Sequence, residues 1–187
     1  MDPSTVTSFD VSYGYYPGTG CGFNGCLTGT IPSQVGLLTG VTTFDMYYWG
    51  FSESGFSGQL PSELGLMSQA EYLNLYVAAD HRTSEGPGSI PTEVGTMSQL
   101  TTLTLAANRF SGSIPTELGN INSATITNFA LSSNSLTGAA PTELGKLNLG
   151  VAIFGLDTNK LCSVVPTQVE ALSSSVSSQG GDWSISS

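Results

Sequence analysis

Six prolines in this chain stand in nearly the same surroundings, and their recurrence constrains the fold more than any single residue does. The segments are TIPSQVG, QLPSELG, SIPTEVG, SIPTELG, AAPTELG and VVPTQVE. Their prolines, Pro32, Pro61, Pro91, Pro115, Pro141 and Pro166, follow one another at 29, 30, 24, 26 and 25 residues. A period of this length marks stacked supersecondary units, each of which can bury its apolar side only against its neighbours. With 187 residues and 39% hydrophobic content, the chain can bury a substantial core as one elongated domain. The expected boundaries are a repeat region over residues 1–172, with about six units, and a Ser/Gly-rich cap and tail over residues 173–187. The tail is expected to fray, except where Val169, Leu172 and Val176 close the last unit.

One unit shows how the period is built. Leu103 and Leu105 alternate with Thr102, Thr104 and Ala106, the pattern of a short half-buried strand. Asn108 follows at a sharp bend, where its amide can satisfy backbone groups that the bend leaves unpaired. Pro91 has its φ preset for the start of a helical turn, and Thr92 and Glu93 suit a helix N-terminus.

Charge excludes several function classes. Four Lys and Arg stand against fourteen Asp and Glu, a net charge of −10. Nucleic acid is an unsuitable partner because there is no cationic footprint to neutralise phosphates, and anionic membrane surfaces are unsuitable for the same reason. No run of about 18 apolar residues exists, so no helical membrane insertion is expected. The first residues carry neither a basic region nor an apolar run, so no secretory leader is expected. The chain opens inside a repeat, as an excised or mature piece would.

Cysteine use is equally spare. Cys21 and Cys26 bracket a glycine-containing loop and are disulfide candidates, although a reduced pair is nearly as compatible. At about 4.8 Å per stacked strand, Cys162 stands roughly 24 Å from them, beyond the ~7 Å reach of a bridge. Catalysis has little support: His81 is the only histidine, beside Asp80 and Arg82, and no Ser or Cys sits in a nucleophile setting. No metal or other cofactor is expected, since one histidine and a Cys-x4-Cys pair do not make a site. The chain therefore reads as a non-enzyme.

The pattern LxxLxLxxNxFxGxIP resembles the plant-type leucine-rich repeat of receptor-kinase ectodomains, polygalacturonase inhibitors and algal proteins. The resemblance runs from about Val6 to Leu172. It implies an α/β repeat fold, a right-handed solenoid with a concave parallel sheet and short helices or turns on the convex side. It also implies the inward strand pairs Phe9/Val11, Phe44/Met46, Leu73/Leu75, Leu103/Leu105, Phe129/Leu131 and Phe154/Leu156. Asn134 and Asn159 keep the spacing of Asn108 from their strands. In the first three units the equivalents are Gly25, Ser54 and Ser84, reached only after insertions of 11, 5 and 6 residues. Extra loops on one edge commonly mark a working face, against the plainer reading that loops tolerate drift.

All seven tyrosines fall in the units with insertions. Strand alternation puts Tyr47, Tyr72 and Tyr76 on the concave surface with Asp10, Asp45 and Asn74, and Tyr48 and Trp49 continue the same edge. Aromatic rings give large contact area at low entropy cost, and Asp and Asn beside them also suit sugar hydroxyls. The competing reading is that these tyrosines simply pack the loops against the sheet.

Two further columns are weaker. Glu63, Glu93, Glu117 and Glu143 each follow a proline by two residues, and helix-start chemistry accounts for them better than a Ca²⁺ site. A Ser/Thr column, including Ser111 and Thr137, forms no intact ladder because Gln59, Pro87 and Ala139 interrupt it. The leading expectation is a recognition module for a protein or glycan partner, extracellular or at the cell surface. A structural spacer in a larger extracellular or organellar assembly is the alternative, and ice binding a minor one.

Overall fold

Each unit needs only one inward residue to build a strand, so the strands are short. In the computed structural model, Ser8–Asp10, Thr43–Asp45, Tyr72–Asn74, Thr102–Thr104, Asn128–Ala130, Ile153–Gly155 and Asp182–Ser184 lie side by side in chain order. Every pairing is parallel. The residues described are 5–10, 28–47, 55–56, 58–76, 88–121, 126–147, 153–162, 164–178 and 182–184. The middle residues stand in register as Phe9, Phe44, Leu73, Leu103, Phe129 and Phe154. All but Phe9 are fully buried, and Phe9 is half-buried and stacked on Phe44. The second apolar residue after each middle one, Met46, Leu75, Leu105, Leu131 and Leu156, also turns inward. Fully burying one such side chain contributes about 1.5–3 kcal/mol, and a column of them ties each unit to the next. Val11 lies outside the described residues.

The opposite side of each unit is a five-residue 3-10 helix: Ser33–Leu37, Ser62–Leu66, Thr92–Thr96, Thr116–Asn120 and Thr142–Lys146. Proline does not open these helices as their first residue, which corrects the reading of Pro91. It stands one place earlier in extended backbone, with φ −64° and ψ 139° at Pro91. There its missing N–H costs nothing, and its carbonyl accepts the first helical bond, from Val94 N at 3.3 Å. The helices stack through glycine. A Cβ on Gly119 would lie 2.6 Å from Glu143 Cβ, and one on Gly65 would lie 2.6 Å from the Glu93 carbonyl oxygen.

The unit ends in a bend held by asparagine. Asn134 Nδ2 donates to the carbonyls of Leu105 (2.9 Å), Leu131 (2.9 Å) and Ser132 (3.3 Å), while its Oδ1 accepts from Phe110 N at 3.0 Å. Asn108 and Asn159 make the same set of donations, Asn108 reaching Leu75 O and Asn159 reaching Leu131 O. The residue before each asparagine, Ala107, Ser133 or Thr158, is left-handed, with φ between 54° and 58°. The expected role of these asparagines at the bend is thereby seen in full.

Past the last repeat, Val169 and Leu172 close the last unit as expected, but the described tail residues, 173–178 and 182–184, are folded rather than frayed. Thr167–Ser178 form an α-helix, with Val169 and Leu172 buried, and Asp182–Ser184 add the seventh strand beside Ile153–Gly155. Twelve residues suffice for three helical turns that a five-residue unit cannot hold. No described helix is long and apolar enough to cross a membrane.

Candidate functional site

The sheet face is chemically uneven along the stack. In one column, Asp10, Asp45 and Asn74 stand in register, followed by Thr104, Ala130 and Gly155. In the other, Thr43 and Tyr72 are followed by Thr102, Asn128 and Ile153. Acidic and aromatic side chains thus concentrate on the first three strands, and small or neutral ones follow.

Asn74 organises this end. Its side chain is only 5% exposed, the one buried polar side chain among the described residues. Its Nδ2 donates to Asp45 Oδ1 at 3.1 Å and to the Tyr72 hydroxyl at 3.4 Å. Its Oδ1 accepts from Tyr76 N at 3.0 Å, and Asp45 Oδ1 accepts from Tyr47 N at 3.1 Å. Both of these strands therefore end in the same side-chain-to-backbone turn two residues on. That turn sends Tyr47 and Tyr76 out from equivalent positions of adjacent units. Because strands repeat about every 4.8 Å, the two rings stack, with centroids 5.2 Å apart and planes 21° from parallel. Tyr47 is 37% exposed.

Among the described residues, Asp45 and Tyr72 are electrically perturbed. Burial, and then the charge of Asp10 alongside, holds the Asp45 carboxyl above its usual value of 3.8. Burial, and then the Asp45 charge, likewise raises the Tyr72 hydroxyl. A raised carboxyl pKa means that ionising Asp45 costs folding stability. That cost is absent below the unfolded value, grows as pH rises through it, and is complete above the folded value. Asp45→Asn keeps an acceptor oxygen for Tyr47 N and Asn74 Nδ2 but removes the cost. Its melting temperature should exceed the parent's at pH 7 and match it below about pH 3; an equal difference at both pH values contradicts the assignment.

Of the residues expected at the site, Asp10, Asp45, Tyr47, Tyr72, Asn74 and Tyr76 share one end of the concave face. Tyr48 and Trp49 lie outside the described residues, as do Cys21 and Cys26, His81 and nearly all of the three insertions. Cys162 is exposed and not in a disulfide. Each carboxylate of the glutamate column accepts from the hydroxyl of the residue before it, as Glu93 does from Thr92 at 3.1 Å. Among the described residues, no group of three or more His, Cys, Asp or Glu could hold a metal ion. A second parallel sheet joins Ser111–Ser113, Ser135–Gly138 and Lys160–Leu161. There Ser111 pairs with Ser135 and Thr137 with Ser113, so the register is offset from the repeat-equivalent Ser/Thr column. Sequence reasoning passed over Asn128, whose Oδ1 is buried with no hydrogen-bond partner in the structure. Its place in the Tyr72–Thr102 column was the only signal for it.

Residues 99–121 match the Leucine Rich Repeat family model. The fold is similar to the ectodomain of the plant membrane receptor kinase GASSHO1/SCHENGEN3 from Arabidopsis thaliana, solved in complex with CASPARIAN STRIP INTEGRITY FACTOR 2. Identity is 31% and TM-score 0.64, over 79% of this chain and 16% of that one. It is also similar to the plant peptide hormone receptor RGFR1 in complex with RGF2, at 26% identity and TM-score 0.63, over 77% of this chain and 21% of that one. A plant ice-binding protein matches at 27% identity and TM-score 0.52, over 72% of this chain and 39% of that one. The chain spans less than a quarter of the length of either receptor. Among curated proteins, none matches the sequence.

Proposed function

Because this chain is a plant-type leucine-rich repeat protein, we propose that it is a non-catalytic recognition module, working outside the cell or at its surface. It binds a protein, or a glycan, across the concave face of its first three units. The observation that carries this reading is the stacked and partly exposed Tyr47–Tyr76 pair beside Asp10, Asp45 and Tyr72. Rings held by backbone turns lose little freedom on binding, which is what makes tyrosine a good anchor. Support also comes from the receptors it resembles, two of which were solved with their ligands. Changing Tyr47 and Tyr76 together to Ala removes two anchors, each worth about 2 kcal/mol or more in such settings. A partner recovered by pull-down should then bind at least ~100-fold more weakly, with the far-ultraviolet circular dichroism unchanged; retained affinity rejects the site.

A second reading, a structural subunit of a larger assembly, is favoured by Leu37 and Leu66. They occupy equivalent places at the ends of adjacent 3-10 helices and are 59% and 58% exposed. Concentration-dependent association on size-exclusion chromatography separates it from the first. Ice binding takes its support from the likeness to the plant ice-binding protein, and thermal hysteresis decides it.

A further inference from the structure

The polar groups at the recognition end are used asymmetrically. Its amide donors are consumed inside the protein, Asn74 Nδ2 by Asp45 and Tyr72, Tyr47 N by Asp45, and Tyr76 N by Asn74, whereas the tyrosine hydroxyls can both donate and accept. The charge carried outward is negative. Asp10 and Asp45 are neighbours across adjacent strands. The stacked tyrosine rings beside them present π faces and edges, a surface that attracts cations. The described basic side chains, Arg109, Lys146 and Lys160, all lie outside this sheet. A ligand that complements this end therefore brings positive charge.

We propose that this face recognises a cationic donor group, an arginine or lysine displayed on an extended partner, seated against Tyr47 and Tyr76 within reach of Asp10 and Asp45. This inference rests on the recognition reading above and names the chemistry of its partner. A bound cation offsets the repulsion between the two aspartates, which contributes to holding the Asp45 carboxyl above its usual range. Guanidinium fits better than ammonium, because it is planar, stacks on aromatic rings and can donate to two carboxylates at once.

The probes are two synthetic heptapeptides that alternate glycine with arginine in one and with glutamine in the other, each blocked at both ends. They are titrated calorimetrically against the intact chain at physiological salt. The arginine peptide should bind at least tenfold more tightly than its glutamine twin. Asp10→Asn with Asp45→Asn should abolish that preference, whereas Glu93→Gln with Glu117→Gln, which removes equal charge from the convex side, should preserve it. Both carboxamides keep the shape of the residues they replace, and thermal melts check that each variant folds. Equal binding of the two peptides overturns the proposal. So does an equal loss in both double variants, which reports only the general attraction of an acidic protein for cations. The pulled-down partner then separates the two levels. Dependence on the tyrosines without dependence on the aspartates sinks the cationic class and leaves recognition standing. Indifference to the tyrosines sinks the recognition reading itself.

Discussion

Alanine at Gly119 should lower the melting temperature by roughly 6–12 °C, the effect of about 3 kcal/mol in a protein of this size. The added Cβ would stand 2.6 Å from Glu143 Cβ and closer still to the Glu143 carbonyl group. Real Cβ atoms do not approach so near, and the obstacle is backbone, so no rotamer change relieves it. The helix Thr116–Asn120 must move away from Thr142–Lys146, and that separation loosens the packing of Leu118 and Leu144 beneath them. Thr116→Ala on the same helix is the control, since Thr116 is exposed and exposed substitutions usually cost less than about 0.5 kcal/mol. Thermal denaturation followed by circular dichroism reads both. Equal melting temperatures would mean that the glycine column has room it does not show.

Asn134→Ala should cost a similar amount, about 3 kcal/mol, by a different route. The substitution leaves Phe110 N without an acceptor and takes one donor from each of the carbonyls of Leu105, Leu131 and Ser132, which keep only those of Asn108, Asn159 and Ala107 N. A buried polar group left unsatisfied costs about 1–3 kcal/mol, so the orphaned amide together with three lost donations exceeds the effect of one ordinary hydrogen bond. Denaturant titration gives the total, and hydrogen exchange gives the place. The Phe110 amide should exchange far faster, while amides around Leu73 keep their protection. Uniform acceleration along the chain would instead indicate that the units unfold as one body.

The inward strand positions could be read from the sequence because one physical rule repeats: a single apolar residue every unit, flanked by polar ones. Leu103, Phe129 and Phe154 are fully buried where that alternation puts them. Asn134 and Asn159 were legible from spacing alone, since a bend of fixed geometry needs its amide at a fixed distance from the strand. The C-terminal helix and the seventh strand were not legible. Thr167–Ser178 is rich in serine, a poor helix former, and burial of Val169 and Leu172 against the preceding unit overrides that preference. At the candidate site, alternation brought Asp45, Asn74, Tyr47 and Tyr76 to one face. It could not reveal that Asn74 is buried beneath the others, donating to Asp45 and Tyr72 and accepting from Tyr76 N, because the Asp45 bond depends on contacts between units rather than on any unit's own pattern.

The asparagine rail starts beside the aromatic patch. Its first rung, Asn108, grips the carbonyl of Leu75, the residue immediately before Tyr76. The molecule is thus divided like a tool and its handle. Behind Tyr76, three repeating clamps make the chassis intolerant of change, whereas the proposed binding tip ahead of it is held by asparagine and aspartate side chains of its own. New binding preferences can arise at that tip by substitution at a few rings and carboxylates while the handle keeps its shape.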